Sequence, residues 1–291
     1  MNLPRPPSIA ALAWRQTLRD FRAGELRLLA VAVMLAVAAL TAVGFFADRL
    51  GNGLQRDARQ LLGGDAVVSS DRPTPQAFIE QARSLGLKTS TAISFPTMGR
   101  AEDARGGASK LVALKVVDTA YPLRGQLTVS VSSDAPGART REVPAQGEVW
   151  VDAPLLDALG LSVGDTLLLG DARLRIGRII VLEPDRGGGF MNFAPRVLLN
   201  QADLDATRLV QPASRLNYRF AVAGEDAQTR RFAQWATREV EKPDVRGVRV
   251  ESLESGRPDM RQTMDRAEKF LNLVALLAAM LSAVALSLIH I

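Results

Sequence analysis

The residue types that could support chemistry are concentrated in one short segment, residues 183–189, which reads EPDRGGG. Its three glycines resemble a phosphate-binding loop, but the GK[ST] ending is absent and no helical pattern follows them. Residues 187–189 are therefore predicted to form a turn. Glu183, Asp185 and Arg186 could form an ion-pair cluster, yet no histidine accompanies them and the two acids share no helix or strand. The pattern favours solvated loop residues.

Other candidate groups are few. The chain has one histidine, His290, and no cysteine. A histidine metal site, thiolate ligands and disulfide bonds are therefore excluded, and no Ser-His-Asp triad is expected. Asp152 with Asp157, and Asp203 with Asp205, stand where helices are predicted to begin, and acids there interact favourably with the helix dipole. Capping is predicted for these four residues.

No catalytic, cofactor-binding or metal-ligating residue is predicted from these patterns. A nucleophile, a base and an oxyanion site do not come together anywhere in the chain. The chain is therefore not expected to be an enzyme by itself.

The segment that organises the rest is residues 28–47, LLAVAVMLAVAALTAVGFFA, which contains no charge. A helix of ~20 apolar residues crosses ~30 Å of hydrocarbon, and the hydroxyl of Thr41 can bond back to its own helix. A buried helix of a soluble protein seldom stays apolar on every face for so long. The length also exceeds the usual apolar region of a cleaved signal peptide, so an uncleaved span is predicted.

A second apolar run, residues 270–289, closes the chain. Four parts are therefore predicted: an amphipathic cytoplasmic helix in residues 1–27, a transmembrane helix in 28–47, an extracytoplasmic domain in 48–269 and a second transmembrane helix in 270–291. The domain alternates strand and helix patterns, and it is long enough for two subdomains. The predicted fold is a membrane protein in which two transmembrane helices flank a mixed α/β (α+β) domain.

The charge distribution indicates orientation. The net charge is +5, and five arginines precede residue 28 against two acids, so the remainder is close to balance. A balanced surface argues against nucleic-acid binding. Arginines just before the first run outnumber those just after it, which favours a cytoplasmic N-terminus. Basic residues before the second run favour the opposite orientation. The orientation predicted here is the one that the first run indicates.

Short motifs add a resemblance. They occupy residues 18–27 (LRDFRAGELR), 61–73 (LLGGDAVVSSDRP), 121–125 (YPLRG), 147–151 (GEVWV) and 183–189 (EPDRGGG). In their order between two apolar runs, they resemble YbbP-type permeases of ABC transporters, within the FtsX/MacB-like superfamily. The resemblance covers essentially the whole chain.

The resemblance implies a bacterial inner-membrane permease whose periplasmic domain follows its first span. Such a permease works with a separate cytoplasmic ATPase, and the substrates it implies are envelope lipids or lipoproteins. Family members continue through further spans, whereas this chain stops at residue 291, so it resembles an N-terminal fragment. Residues 257–269 are predicted to be the stalk that couples membrane and domain, with a passive connector as the alternative.

Topology alone leaves two rival classes open. A two-span sensor with a periplasmic ligand-binding domain would continue into a cytoplasmic output domain, whereas a permease would continue into more spans. A doubly anchored scaffold protein would not depend on an ATPase.

Overall fold

The computed structural model describes residues 9–23, 25–187, 193–211, 214–243 and 245–252, with residues 266, 269, 270, 273, 274, 276, 277 and 280. The chain divides into two compact units. One comprises Met1–Leu54 with Pro258–Ile291, and the other is Gln55–Arg257.

Two helices open the chain. Helix α1 is Ile9–Ala23, and helix α2 runs for 38 residues as Glu25–Leu62. The apolar stripe of residues 48–62 predicts a helix that continues the first apolar run and ends at the glycine pair 63–64, and the course of α2 confirms this prediction. Thr41 Oγ1 donates to the carbonyl of Val37 at 2.7 Å, as expected for a hydroxyl in an apolar helix. Judged on the described residues alone, no helix is both long and apolar enough to cross a membrane.

The second run and the predicted stalk lie almost entirely outside the described residues. Both membrane spans therefore stay predictions of the sequence.

The described part of the second unit contains eleven strands in one hydrogen-bonded sheet. They are β1 Ala66–Ser70, β2 Lys88–Ala101, β3 Ser109–Val117, β4 Leu127–Ser130, β5 Ala138–Thr140, β6 Glu148–Asp152, β7 Thr166–Leu169, β8 Ala172–Leu182, β9 Arg196–Asn200, β10 Asn217–Ala223 and β11 Val248–Ser252. The helices of this part are the end of α2, α3 Gln76–Ser84, α4 Ala153–Leu159, α5 Leu204–Thr207 and α6 Asp226–Val240. The predicted mixed α/β fold is confirmed.

One end of the sheet has the order β11-β1-β10-β2, with every neighbouring pair antiparallel. Helices α3 and α6 supply Phe78 and Phe232 to its core, where they are fully buried beside Phe220 of β10. Trp235 of α6 meets Phe78 edge-on with ring centroids 5.2 Å apart, a preferred aromatic geometry. The alternation of apolar residues in β1 and β10 gives this layer its inner face.

Strand β2 and five of the other strands close a ring. Strand β2 is long enough to leave the first layer and pair with β3, and its last residues pair with β7. The pairings then continue through β9, β6 and β8, and β8 returns to β7. Buried side chains such as Leu114, Val151, Leu167 and Ile176 fill this six-stranded barrel. Helix α4 adds three buried leucines to the same core.

The outer face of the barrel carries the polar residues discussed below. Because side chains alternate along a strand, Lys115 lies on the face opposite to its inward neighbour Leu114. The same alternation puts Asp152 of β6 and Arg196 of β9 on the outer face. Their apolar neighbours there include Trp150.

The sequence patterns predict most of these strands, but two strands were not predicted. Strand β5 lies in residues 132–146, which the sequence favours as a surface loop because they are rich in proline and glycine. It is an edge strand of three residues, too short to show a period. Strand β11, whose sequence is VRVES, was also not predicted, although its apolar and polar residues alternate as they do in a strand.

Candidate functional site

The most unusual chemical feature of the domain is a buried lysine. Lys115 has 2% of its side chain exposed, and its Nζ lies 2.7 Å from Glu183 Oε1 and 2.8 Å from Asp185 Oδ1. It also donates to the hydroxyl of Tyr121 at 3.0 Å and lies 4.5 Å from the centroid of that ring. The Tyr121 hydroxyl donates to Asp185 through a short contact. An ammonium has three N–H donors, so all three are used.

Two arginines extend this network. Arg196 donates through Nε to Glu183 Oε2 at 2.7 Å, and its backbone N–H donates to Asp152 Oδ2 at 2.8 Å. Arg186 pairs with Asp152 through two contacts of 2.6 and 3.2 Å. Arg196 also donates to the carbonyl of Arg186 at 3.2 Å, which ties the segment after β8 to β9.

The network, defined here as Lys115, Tyr121, Asp152, Glu183, Asp185, Arg186 and Arg196, has three cations and three carboxylates. Burying an unpaired charge is costly, whereas a paired and hydrogen-bonded set is tolerated. The balance explains how so many charges can be buried together. It also means that the loss of one member leaves its partner uncompensated.

Protonation states follow from this environment. Burial alone raises the pKa of Glu183, but the charges of Lys115 and Arg196 and their hydrogen bonds lower the pKa to about 2. Burial, followed by the charge of Asp185, raises the pKa of Tyr121 well above its ordinary value. Burial lowers the pKa of Arg186, but its bonds to Asp152 outweigh that effect and raise the pKa. Glu183 is therefore a carboxylate and Tyr121 a neutral phenol at neutral pH.

A second polar cluster lies where α2 ends. Arg124 makes a bidentate pair with Asp65, with contacts of 2.9 and 2.6 Å. The hydrogen bond to Asp65 raises the pKa of Arg124. The same carboxylate accepts the backbone N–H of Gly224 at 3.0 Å. Arg59, in the last turn of α2, lies 3.6 Å from Asp65 and pairs with Asp226 of α6 at 2.8 Å.

Backbone groups at the end of α2 are held by the same region. The backbone N–H of Arg124 donates to the carbonyl of Gly63 at 3.2 Å, and Arg219 of β10 donates to the carbonyl of Leu62 at 3.3 Å. The last carbonyls of a helix have no partner within the helix. Here the carbonyl of Leu62, the last helical residue, and that of Gly63, which follows it, are bonded to two different segments of the domain.

Glycine brings the two clusters into contact. Gly63 has a φ of 70°, and a Cβ atom there would lie 2.9 Å from Asp185 Oδ2. Gly125 has a φ of 81°, and a Cβ atom there would lie 3.2 Å from Pro184. Both positions need the left-handed region and a close approach, which only glycine combines without strain. The end of α2 therefore rests directly on the segment that carries the buried acids.

Three of the motifs quoted above meet here. Residues 61–65, 121–125 and 183–187 are far apart in sequence and adjacent in the fold. Residues 148–151 of a fourth motif form most of β6, the strand that supplies Asp152. Gly188 and Gly189 lie outside the described residues.

The prediction that Glu183 and Asp185 are solvated is wrong. Both are buried, with 1% and 5% of their side chains exposed, while Arg186 is one-third exposed. The error has a physical cause, because the partner Lys115 lies about seventy residues earlier in the chain. A signal was available in β3, whose sequence SKLVALKVV places one lysine in an apolar stretch.

The predicted capping roles hold only in part. Asp152 stands at the N-cap of α4 but makes no side-chain cap bond, because Arg186 and Arg196 engage it. Asp203 accepts the backbone N–H of Gly147 at 2.8 Å and makes no cap bond to α5. Asp205 lies in the first turn of α5, as predicted. Asp157 lies within α4 rather than at its start.

The chemistry of this site is that of a fixed junction. Lys115 has no unused donor, and the phenol is neutral and buried. Among the described residues, no group of three or more acids or histidines is arranged to hold a metal ion. The arrangement fixes the position of a helix end against a barrel.

The motifs that meet at this site are among those that predict a resemblance to ABC transporter permeases. The chain is 35% identical over 274 residues to the uncharacterized ABC transporter permease YbbP of Escherichia coli (strain K12). This match covers 94% of the chain and 32% of the relative, so the chain spans about a third of the length of that protein. The predicted resemblance to YbbP-type permeases is confirmed.

No protein-family model matches the chain. Two solved structures are similar to it at low identity. The periplasmic region of MacB from Actinobacillus actinomycetemcomitans is 10% identical, with a TM-score of 0.41, over 71% of this chain and 95% of that chain. A domain of a putative permease protein from Porphyromonas gingivalis is 11% identical, with a TM-score of 0.36, over 65% of this chain and 89% of that one.

Proposed function

We propose that this chain is part of the permease subunit of an ABC transporter in the bacterial inner membrane. Residues 48–269 lie in the periplasm between two membrane spans, and a separate cytoplasmic ATPase is the partner. ATP hydrolysis belongs to that partner, and the permease itself is not an enzyme. The observation that carries the proposal is the 35% identity to an ABC transporter permease along 94% of the chain.

The geometry supports a mechanical role. Helix α2 contains the uncharged run and continues without a break to Leu62. The carbonyl of Leu62 is bonded to β10, Arg59 pairs with α6, and the carbonyl of Gly63 just after the helix accepts from Arg124, so the end of α2 is fixed to the domain by several contacts. A displacement of the helix end is therefore passed to the barrel through the buried network rather than absorbed in a loop. The domain acts on an envelope lipid or lipoprotein, the substrate class implied by the resemblance.

Purification of the complete protein that contains this chain tests the partnership. The protein is isolated with an affinity tag from native membranes, and co-purifying chains are identified by mass spectrometry. A P-loop ATPase should co-purify in stoichiometric amount, and ATP hydrolysis by the complex should be lost when the P-loop lysine of that ATPase is changed. The chain after residue 291 provides a second test, because further spans are expected there. A cytoplasmic signalling domain in their place, with no ATPase partner, would establish the sensor alternative.

A further inference from the structure

A pocket lies beside the buried network, and Asp152 and Arg186 of that network line it. Its volume is about 620 Å³, within the range of small-molecule sites. Its walls include Ile179 and Val181 of β8, Pro154 of α4 and Phe193, with Ser132 at the rim. Val181 is 57% exposed and Phe193 is 87% exposed, so apolar surface lines an opening that solvent can reach.

The polar floor of the pocket is the Arg186–Asp152 pair. The two partners differ in accessibility, because Arg186 has 33% of its side chain exposed and Asp152 has 9%. The other two carboxylates of the network, Glu183 and Asp185, are almost fully buried. The more accessible charge at the pocket is therefore the guanidinium of Arg186, although the network as a whole is balanced.

In its contacts with the described residues, Arg186 retains donor capacity. A guanidinium has five N–H donors, and its two contacts with Asp152 engage one on each terminal nitrogen. Its backbone carbonyl accepts from Arg196, and Asp152 is held independently by the backbone N–H of Arg196. The guanidinium is thus fixed before any ligand arrives, which lowers the entropy lost on binding.

We propose that this pocket binds an amphiphile with an anionic headgroup. A phosphate or carboxylate accepts hydrogen bonds from Arg186, and an alkyl chain lies along Val181 and Phe193. Charge-assisted hydrogen bonds to a guanidinium favour these headgroups, and the apolar walls favour an alkyl chain over a free ion. The inference concerns binding alone, and it stands whether or not an ATPase drives the protein.

Photo-crosslinking tests the site directly. The full chain is reconstituted in nanodiscs of neutral lipid and exposed to hexyl phosphate bearing a diazirine on its alkyl chain, and labelled residues are mapped by mass spectrometry. Labels should concentrate on residues 179–181 and 193–195. Excess hexyl phosphate should compete for them, and hexanol should compete about tenfold less well because it lacks the charge.

Matched variants separate the two halves of the site. Arg186→Gln should reduce labelling about tenfold, whereas Arg173→Gln, which removes a 72% exposed arginine from strand β8 outside the pocket, should not. Val181→Asp should also reduce it, and Leu182→Asp, at an exposed neighbour outside the pocket, should not. The Val181 variant leaves the buried network intact, so its result stands even if Arg186→Gln impairs folding.

Three outcomes would overturn the proposal. Labels spread evenly over the domain would show no site, and labelling unchanged in Val181→Asp would place the alkyl chain elsewhere. Competition by inorganic phosphate as strong as that by hexyl phosphate would show an anion site without an alkyl subsite.

Discussion

Lys115 shows how a single buried charge fixes a junction between distant segments. Its three donors reach Tyr121, Glu183 and Asp185. Tyr121 lies in the loop after β3, and the two acids lie in the loop after β8. Each bond is charge-assisted on at least one side, and such bonds are stronger than neutral ones. The lysine therefore holds these loops together more firmly than an apolar residue of the same size would with the acids still present.

Removal of the Lys115 charge should be strongly destabilising. Lys115→Met leaves the buried carboxylate of Asp185 without its cation and leaves Glu183 paired with Arg196 alone, and breaking a buried pair costs about 3–5 kcal/mol of unfolding free energy. Lys110→Met, at an exposed position of the same strand, should change it by less than about 0.5 kcal/mol. Denaturant unfolding of the purified chain measures both. Equal stability of the two variants would show that the network contributes nothing to the fold.

Lowering the pH should reduce the stability that the Glu183 carboxylate contributes to the fold. Its folded-state pKa is about 2 against an ordinary value of 4.5. A lowered pKa gives a stability contribution that is complete above pH 4.5 and is lost as pH falls towards 2. The difference in unfolding free energy between the native chain and Glu183→Gln should therefore shrink from pH 5 to pH ~2.5. Glu80→Gln, at an exposed position of α3, should keep the native acid dependence. A constant difference for Glu183→Gln would contradict the assignment.

At the scale of elements, the unbroken course of α2 is the main feature. In the proposed mechanism the continuous helix transmits displacement along its axis, and the contacts of Leu62 and Arg59 hold its end against the domain. Gly63 then turns the chain sharply into β1. The helix thus ends against the acids of the 183–185 segment rather than in a long linker.

Continuity of α2 should matter more than its exposed side chains. Arg56→Pro removes a backbone hydrogen bond in the helix interior and kinks it, at a cost of about 3 kcal/mol or more. Arg56→Ala keeps the helix, since alanine is the best helix former. In the complete permease with its ATPase, the proline variant should lose coupled function at matched membrane levels and the alanine variant should keep it. Equal function of the proline and alanine variants would show that α2 serves only as a tether.

Helix continuity is also expected to matter in the second apolar run. No glycine or proline follows Pro258 in the chain, so a helix is predicted to enter that run without a break. Ala267 lies outside the described residues. Ala267→Pro should impair coupled function, whereas Ala267→Ser should not, in the same assay. A passive connector would tolerate both substitutions.

At the scale of the whole molecule, the predicted topology places residues 48–269 on the outer side of the membrane. The absence of cysteine allows one to be introduced without background. Ala138 of β5 is exposed on an edge strand and so suits labelling. Ala138→Cys should react with a membrane-impermeant thiol reagent in intact spheroplasts. Reaction only after lysis would reverse the orientation.

The sequence by itself determined the local elements and the family resemblance. Apolar periodicity and breakers located α2, its end at Gly63 and most strands, because these signals depend on near neighbours in the chain. Ordered motifs predicted the likeness to YbbP-type permeases, which the comparison with the Escherichia coli protein confirmed.

Only the tertiary structure decided what the polar residues of those motifs do. Glu183 and Asp185 look like loop acids in sequence, and closure of the barrel brings Lys115 and Arg196 to them. Asp152 looks like a helix cap and is instead engaged by two arginines. A buried charge depends on partners that lie far away in the chain, and local patterns carry no information about such pairings. Solvation, protonation and the contact with the end of α2 therefore followed from the fold.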